Sequence, residues 1–219
     1  MKKKILITFL CIMALTVLSA SGAFAELCLN YANITGAEIS FDGADDSIKF
    51  PNTGTYDFQI TDVHDGTGSA LNLFGNIGGT FTIGAISSPV AGLETAPVTG
   101  TGTFSIDDGA GFVLSSALEW VSIFTFGTDG GLNAGGVANV TGITYGGVNA
   151  DLLAFSAFGS AINALTFQFT PAVSLSELVV DGINHTTYSG SACAVPVPPS
   201  LVLLGSALLG LVGLRRKSD

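Results

Sequence analysis

Thr55-Tyr56-Asp57-Phe58-Gln59-Ile60-Thr61-Asp62-Val63 alternates apolar and polar side chains almost one for one. Tyr56, Phe58 and Ile60 fall on one face and Asp57, Gln59 and Thr61 on the other. That period of two is the signature of a half-buried antiparallel strand with one wet face. The signature returns at Gly79–Gly84 with Phe81 and Ile83, at Gly102–Ile106 with Phe104 and Ile106, and at Leu165–Phe169 with Leu165, Phe167 and Phe169. Val113–Phe126 reads as a longer strand that carries Trp120, Phe124 and Phe126 on one side. Between these runs stand Asp42-Gly43, Asp65-Gly66, Asp108-Gly109, Asp129-Gly130-Gly131 and Asp181-Gly182. Asp-Gly is a hairpin dipeptide, because glycine accepts positive φ and aspartate bonds its own backbone. Short strands punctuated in this way predict an all-β domain, a single antiparallel β-sandwich or jelly-roll-like fold. Residues 152–164 leave room for a short helix, and no repeat is strict enough for a solenoid.

Composition points the same way and narrows the partners. The chain holds 29 glycines, and only 11% of its residues are charged, which suits a turn-rich β protein better than a helical one. Residues 26–194 contain sixteen acidic residues and one basic residue, Lys49, for a net charge of −15. Such a surface lacks the basic footprint that nucleic acid requires, and anionic lipid headgroups would repel it. It suits a solvated acidic exterior, with divalent cations between acidic groups as the sharper alternative.

The two ends read as processing segments rather than as parts of the fold. Lys2, Lys3 and Lys4 precede the apolar run Ile5–Leu18, and Ala23-Phe24-Ala25 is a small-x-small exit. This predicts a signal peptide over 1–25, cut by signal peptidase between Ala25 and Glu26. At the other end, Val195-Pro196-Val197-Pro198-Pro199 is stiff and extended. Leu201–Leu214 follows without a charge, and then come Arg215, Arg216 and Lys217. Counted from Val195, the uncharged stretch reaches 20 residues, enough to span a bilayer of about 30 Å when basic side chains snorkel. A transmembrane helix is expected at about 199–214, with the basic tail 215–217 cytoplasmic and the domain at 26–194 outside.

A proline motif, a short Leu/Gly-rich helix and a terminal basic cluster, in that order, resemble the sorting segment of PEP-CTERM proteins. Here residues 195–219 carry the tail variant Pro196-Val197-Pro198 in place of Pro-Glu-Pro. The resemblance implies recognition by an exosortase, a membrane cysteine peptidase that removes the tail during export. It also implies a membrane-anchored intermediate at the inner membrane, delivery to the cell surface or extracellular matrix, and an association with exopolysaccharide and biofilm. Two stretches, Gly100–Gly111 and Gly131–Tyr145, are loosely similar to stretches of PEP-CTERM ectodomains. Cys28 and Cys193 lie at the two edges of the expected domain. The oxidising compartment outside the cell favours a bond between them over two free thiols. Closing that loop of 165 residues is worth about 5 kcal/mol on chain-entropy grounds.

No catalytic constellation stands out. A hydrolytic triad would need a nucleophile elbow, and none is present. Asp62-Val63-His64-Asp65 offers metal ligands without a remote partner, and His64 and His185 read as turn residues. Carboxylates at Asp42, Asp45 and Asp46, at Asp62 and Asp65, and at Asp107 and Asp108 lie in Gly-rich loops, where they could bind Ca or simply stabilise turns. Three sequons begin at Asn33, Asn139 and Asn184, a pattern short enough to arise by chance. The leading expectation is therefore a non-catalytic exported surface or matrix protein. The alternatives are a carbohydrate-binding, lectin-like module that exposes aromatics such as Trp120 or Tyr145, a Ca-binding sandwich, and, behind these, a polysaccharide-active enzyme.

Overall fold

A computed structural model describes residues 26–50, 55–126, 134–171, 173–180 and 182–194. Within them the chain is all-β and antiparallel. Strands β1 (Cys28–Asn33), β2 (Ile39–Asp42), β3 (Ser47–Lys49) and β4 (Phe58–His64) are followed by the long β5 (Phe74–Ile83). Next come β6 (Ser87–Val90), β7 (Leu93–Thr99), β8 (Thr101–Asp107), β9 (Val113–Phe126) and β10 (Ala134–Thr144). Helix α1 (Ala150–Phe158) leads into β11 (Ser160–Gln168), and the one-turn helix α2 (Leu175–Leu178) leads into β12 (Ile183–Ala194).

The ladder of hydrogen bonds closes on itself. From β12 it runs through β1, β4, β5, β8, β9, β10 and β11 and back to β12. A second circuit leaves β12 through β2 and β3 to β5, then through β7 to β9. The long strands β5, β9 and β12 each change neighbours along their length, so two short pairs, β1/β4 and β2/β3, share the space between β12 and β5. Closure leaves few strand edges open to pair with other chains.

One continuous core fills the interior, rich in aromatic rings. Tyr31, Phe58 and Phe104 pack together, with ring centres 4.4 to 5.9 Å apart. Phe50, Phe81, Trp120 and Phe167 form a second group, with centres 5.3 to 6.3 Å apart. Small residues make room for these rings. Gly190 stands opposite Tyr31 across the β1–β12 ladder, and a Cβ there would lie 2.4 Å from the Tyr31 ring.

The alternating segment at 102–106 falls within β8, while those at 79–84 and 165–169 fall within β5 and β11 except for Gly84 and the part-buried Phe169, one residue past each strand end. Phe81, Ile83, Phe104, Ile106, Leu165 and Phe167 are buried. Two details differ from the sequence reading. The strand expected from Thr55 begins at Phe58; Asp57, expected on the wet face, is only 2% exposed, and Tyr56, expected to share the buried face of Phe58 and Ile60, is part-buried and stacks on exposed Phe74. In β9, Trp120 does not share a face with Phe124 and Phe126. Trp120 pairs with Ala138 but Ser122 pairs with Val137, so Val121 is an extra residue. A bulge of one residue exchanges the faces of everything beyond it. Ile123 and Thr125 therefore turn inward, while Phe124 and Phe126 turn outward. Residues 152–164 divide into the end of α1 and the start of β11, separated by Gly159 at φ 73°.

Candidate functional site

Strand register gathers residues distant in sequence into one row on the outer face. Gln59 stands opposite Phe74, Phe74 opposite Asp107, and Asp107 opposite Val113. Directly opposed residues share a face of the sheet, so a phenyl ring, a carboxylate and an isopropyl group lie side by side across β5, β8 and β9. Tyr56 stacks on Phe74, with ring centres 5.2 Å apart and planes 19° from parallel. Its hydroxyl donates to Asp107 Oδ2 at 2.8 Å, and Asp107 Oδ1 accepts from the Gly109 N–H at 2.7 Å. The bond to Asp107, together with some burial, raises the Tyr56 pKa above that of an ordinary phenol. Phe74, Phe112 and Val113 remain exposed around this carboxylate.

The next aspartate is pinned from the opposite side. The Tyr145 hydroxyl donates to Asp108 Oδ2 at 2.7 Å and accepts from the Asn149 N–H at 3.1 Å. Asp108 Oδ1 accepts from the N–H groups of Ala110 and Phe112. Burial raises the Asp108 pKa, but these bonds outweigh it and leave the carboxyl below its usual range. The hairpin between β8 and β9 is thus held by two Tyr–Asp pairs. One aspartate is consumed in shaping the turn. The other stands beside an aromatic shelf.

The residues singled out from the sequence do not converge on one centre. Cys28 and Cys193 are bonded, with Sγ atoms 2.10 Å apart, on the paired strands β1 and β12. The Ala194 N–H donates to the Leu27 carbonyl beside them. Asp42 and Asp45 face the Lys49 ammonium at 3.9 and 3.7 Å, so that loop carries its own cation. Asp46 adopts φ 52° in the same turn. Elsewhere, Asp62 accepts from the Asn30 amide and Asp65 pairs with its neighbour His64. Among the described residues, the one group of three metal-ligating side chains close together is Glu26 with the two bonded cysteines. Trp120 is 3% exposed, part of the core rather than a binding surface. Ala25, Pro196, Val197, Pro198, Arg215, Arg216 and Lys217 lie outside the described residues.

Two buried carboxylates escaped the sequence reading. Asp151 follows the helix cap Asn149 and accepts from the Thr67 N–H and hydroxyl and from the Ala70 N–H. Asp57 Oδ2 accepts from the Ile77 N–H, while its Oδ1 has no hydrogen-bond partner among the described residues. An asparagine cap followed by an acidic residue in the first helical turn hints at the first. Nothing local marks the second.

Comparison with protein-family models, with curated proteins and with solved structures returns no match.

Proposed function

We propose that this is a non-catalytic, exported cell-surface or extracellular-matrix protein, delivered by an exosortase-type C-terminal segment and associated with exopolysaccharide. The observation that carries this reading is the bond between Cys28 and Cys193. Structural disulfides form and persist in oxidising compartments, and this one joins the first and last strands of the domain. It therefore seals the domain at the boundaries where the leader and the sorting tail are expected to be removed. The antiparallel ladder that returns to its starting strand suits a self-contained all-β body between two ends that are removed. Net charge of −15 favours solubility outside the cell.

A second reading, a carbohydrate-binding module, is favoured by the exposed aromatic shelf at Phe74 and Tyr56. Intact mass of the protein from native cells and from an exosortase-deficient strain tests the leading one. Loss of residues beyond the Pro196-Val197-Pro198 region only where exosortase is present is the expected result. The same full-length C-terminus in both strains would refute sorted export.

A further inference from the structure

We infer that the outer sheet face around Phe74 is a binding platform for a neutral polysaccharide, with Phe74 and Tyr56 as the stacking surface and Asp107 as the hydroxyl acceptor. The inference rests on the carbohydrate-binding reading above and locates it. A pyranose ring presents a face of C–H groups and a rim of hydroxyls. Its recognition calls for a flat aromatic surface beside a few fixed polar groups. Both are here. Phe74 is exposed on the sheet, and Tyr56 stacks on it with planes only 19° apart, which holds the pair rigid and leaves an outward aromatic face.

The platform is also set before any ligand arrives. Tyr56 is tied through its hydroxyl to Asp107, and Asp107 is tied to the Gly109 N–H, so little side-chain freedom remains to be lost on binding. Each Asp107 oxygen has one hydrogen-bond donor and a second lone pair to offer a sugar hydroxyl. Ser105 and Ser115, opposite one another two residues along β8 and β9, extend the same face with hydroxyls.

Charge selects the class of polymer. The one basic residue at 26–194, Lys49, is held by Asp42 and Asp45, so among the described residues no lysine or arginine is left to meet a uronate or sulfate at Phe74. A domain charge of −15 repels polyanions. A second surface groove, over β4, β1, β12 and β11, is lined by Asn30, Thr61, Thr166 and Ser189, and its one ring, Tyr31, is buried. It lacks a stacking surface.

The test is electrophoresis of the disulfide-bonded exported protein through gels containing cellulose derivatives, xylan, mannan or starch, with alginate as the anionic comparison. Retardation is expected in at least one neutral gel and not in alginate. Phe74→Ala should weaken that retardation about tenfold, the scale of one aromatic contact. Phe124→Ala, which removes another exposed ring, should leave it unchanged. Thermal midpoints like that of the parent would show that both variants fold, and Phe74→Leu, which keeps apolar bulk without a flat ring, should bind as weakly as Phe74→Ala. Retardation that survives Phe74→Ala would overturn the platform and leave the carbohydrate reading standing. No retardation of the parent in any neutral gel would overturn both.

Discussion

Asp57, at the entrance to β4, and Asp151, at the first turn of α1, are 2% and 1% exposed, yet their surroundings drive them in opposite directions. Asp151 accepts three hydrogen bonds from Thr67 and Ala70. Burial raises its pKa, but these bonds, with the Ser69 hydroxyl, outweigh that and hold the carboxyl below its ordinary range. Among the described residues Asp57 has one donor, the Ile77 N–H at 3.2 Å, and its Oδ1 has none. Burial dominates there and raises its pKa. Exposure alone therefore says little about a carboxylate. What decides its state is how many donors the backbone aims at it. In this protein the loop at 65–70 wraps the start of α1 and supplies those donors, whereas Asp57, at the approach to β4, receives one from β5, the Ile77 N–H.

Substitution should expose the difference most strongly. Asp151→Ala strands the Thr67 and Ala70 donors and should cost about 2–4 kcal/mol, read as a lower denaturant midpoint at unchanged slope. Asp57→Asn keeps the shape and an acceptor for Ile77 while removing a poorly solvated charge, and should shift stability at neutral pH by less than about 1 kcal/mol. If the two substitutions cost the same, the contrast in hydrogen bonding does not govern either site.

The pH dependence should separate the two next, with opposite signs. Asp151 has a depressed folded-state pKa, so its contribution is full above the unfolded aspartate pKa of about 3.9 and is lost as pH falls through the folded value. Asp57 has a raised one, so stability grows as pH falls from above its folded pKa towards about 3.9. Equilibrium unfolding of the parent should therefore show a gain on mild acidification followed by a loss. Asp57→Asn should remove the gain, and Asp151→Asn should reduce the loss. A parent profile that only falls from neutral pH downward would contradict the assignment of Asp57.

The smallest effects should come from the two buried tyrosines that repeat the contrast. The Tyr31 hydroxyl donates to Asn163 Oδ1 at 2.7 Å, whereas the Tyr188 hydroxyl has no partner among the described residues. Burial raises both pKa values, so both stay neutral. Tyr31→Phe should cost about 1 kcal/mol, and Tyr188→Phe should be neutral or slightly stabilising. Thermal melts of the two variants would decide it, and equal losses would count against the comparison.

Strand identity was legible because each of Phe81/Ile83, Phe104/Ile106 and Leu165/Phe167 lies two residues apart and faces one core. The faces of Phe124 and Phe126 were not, because a bulge at Val121 depends on how β9 meets β10 and leaves no mark in β9 itself. Asp57 misled for a related reason: alternation assigns a face only inside a strand, and β4 starts one residue later. The turn role of Asp108-Gly109 could be read locally, since aspartate bonds N–H groups a few residues ahead. The aromatic shelf could not. Tyr56, Phe74 and Asp107 come from separate segments, and only the registers of β4, β5, β8 and β9 bring them together.

Export of a domain whose ends are joined by Cys28 and Cys193 is the central proposal for this protein. The most direct check is mass spectrometry of the protein from the exported fraction, alkylated without reductant and digested. The prediction is a mature N-terminus at Glu26 and a Cys28–Cys193 linked peptide that takes up no alkylating reagent. Free, alkylated Cys28 and Cys193 on a chain that retains residues 1–25 would contradict it.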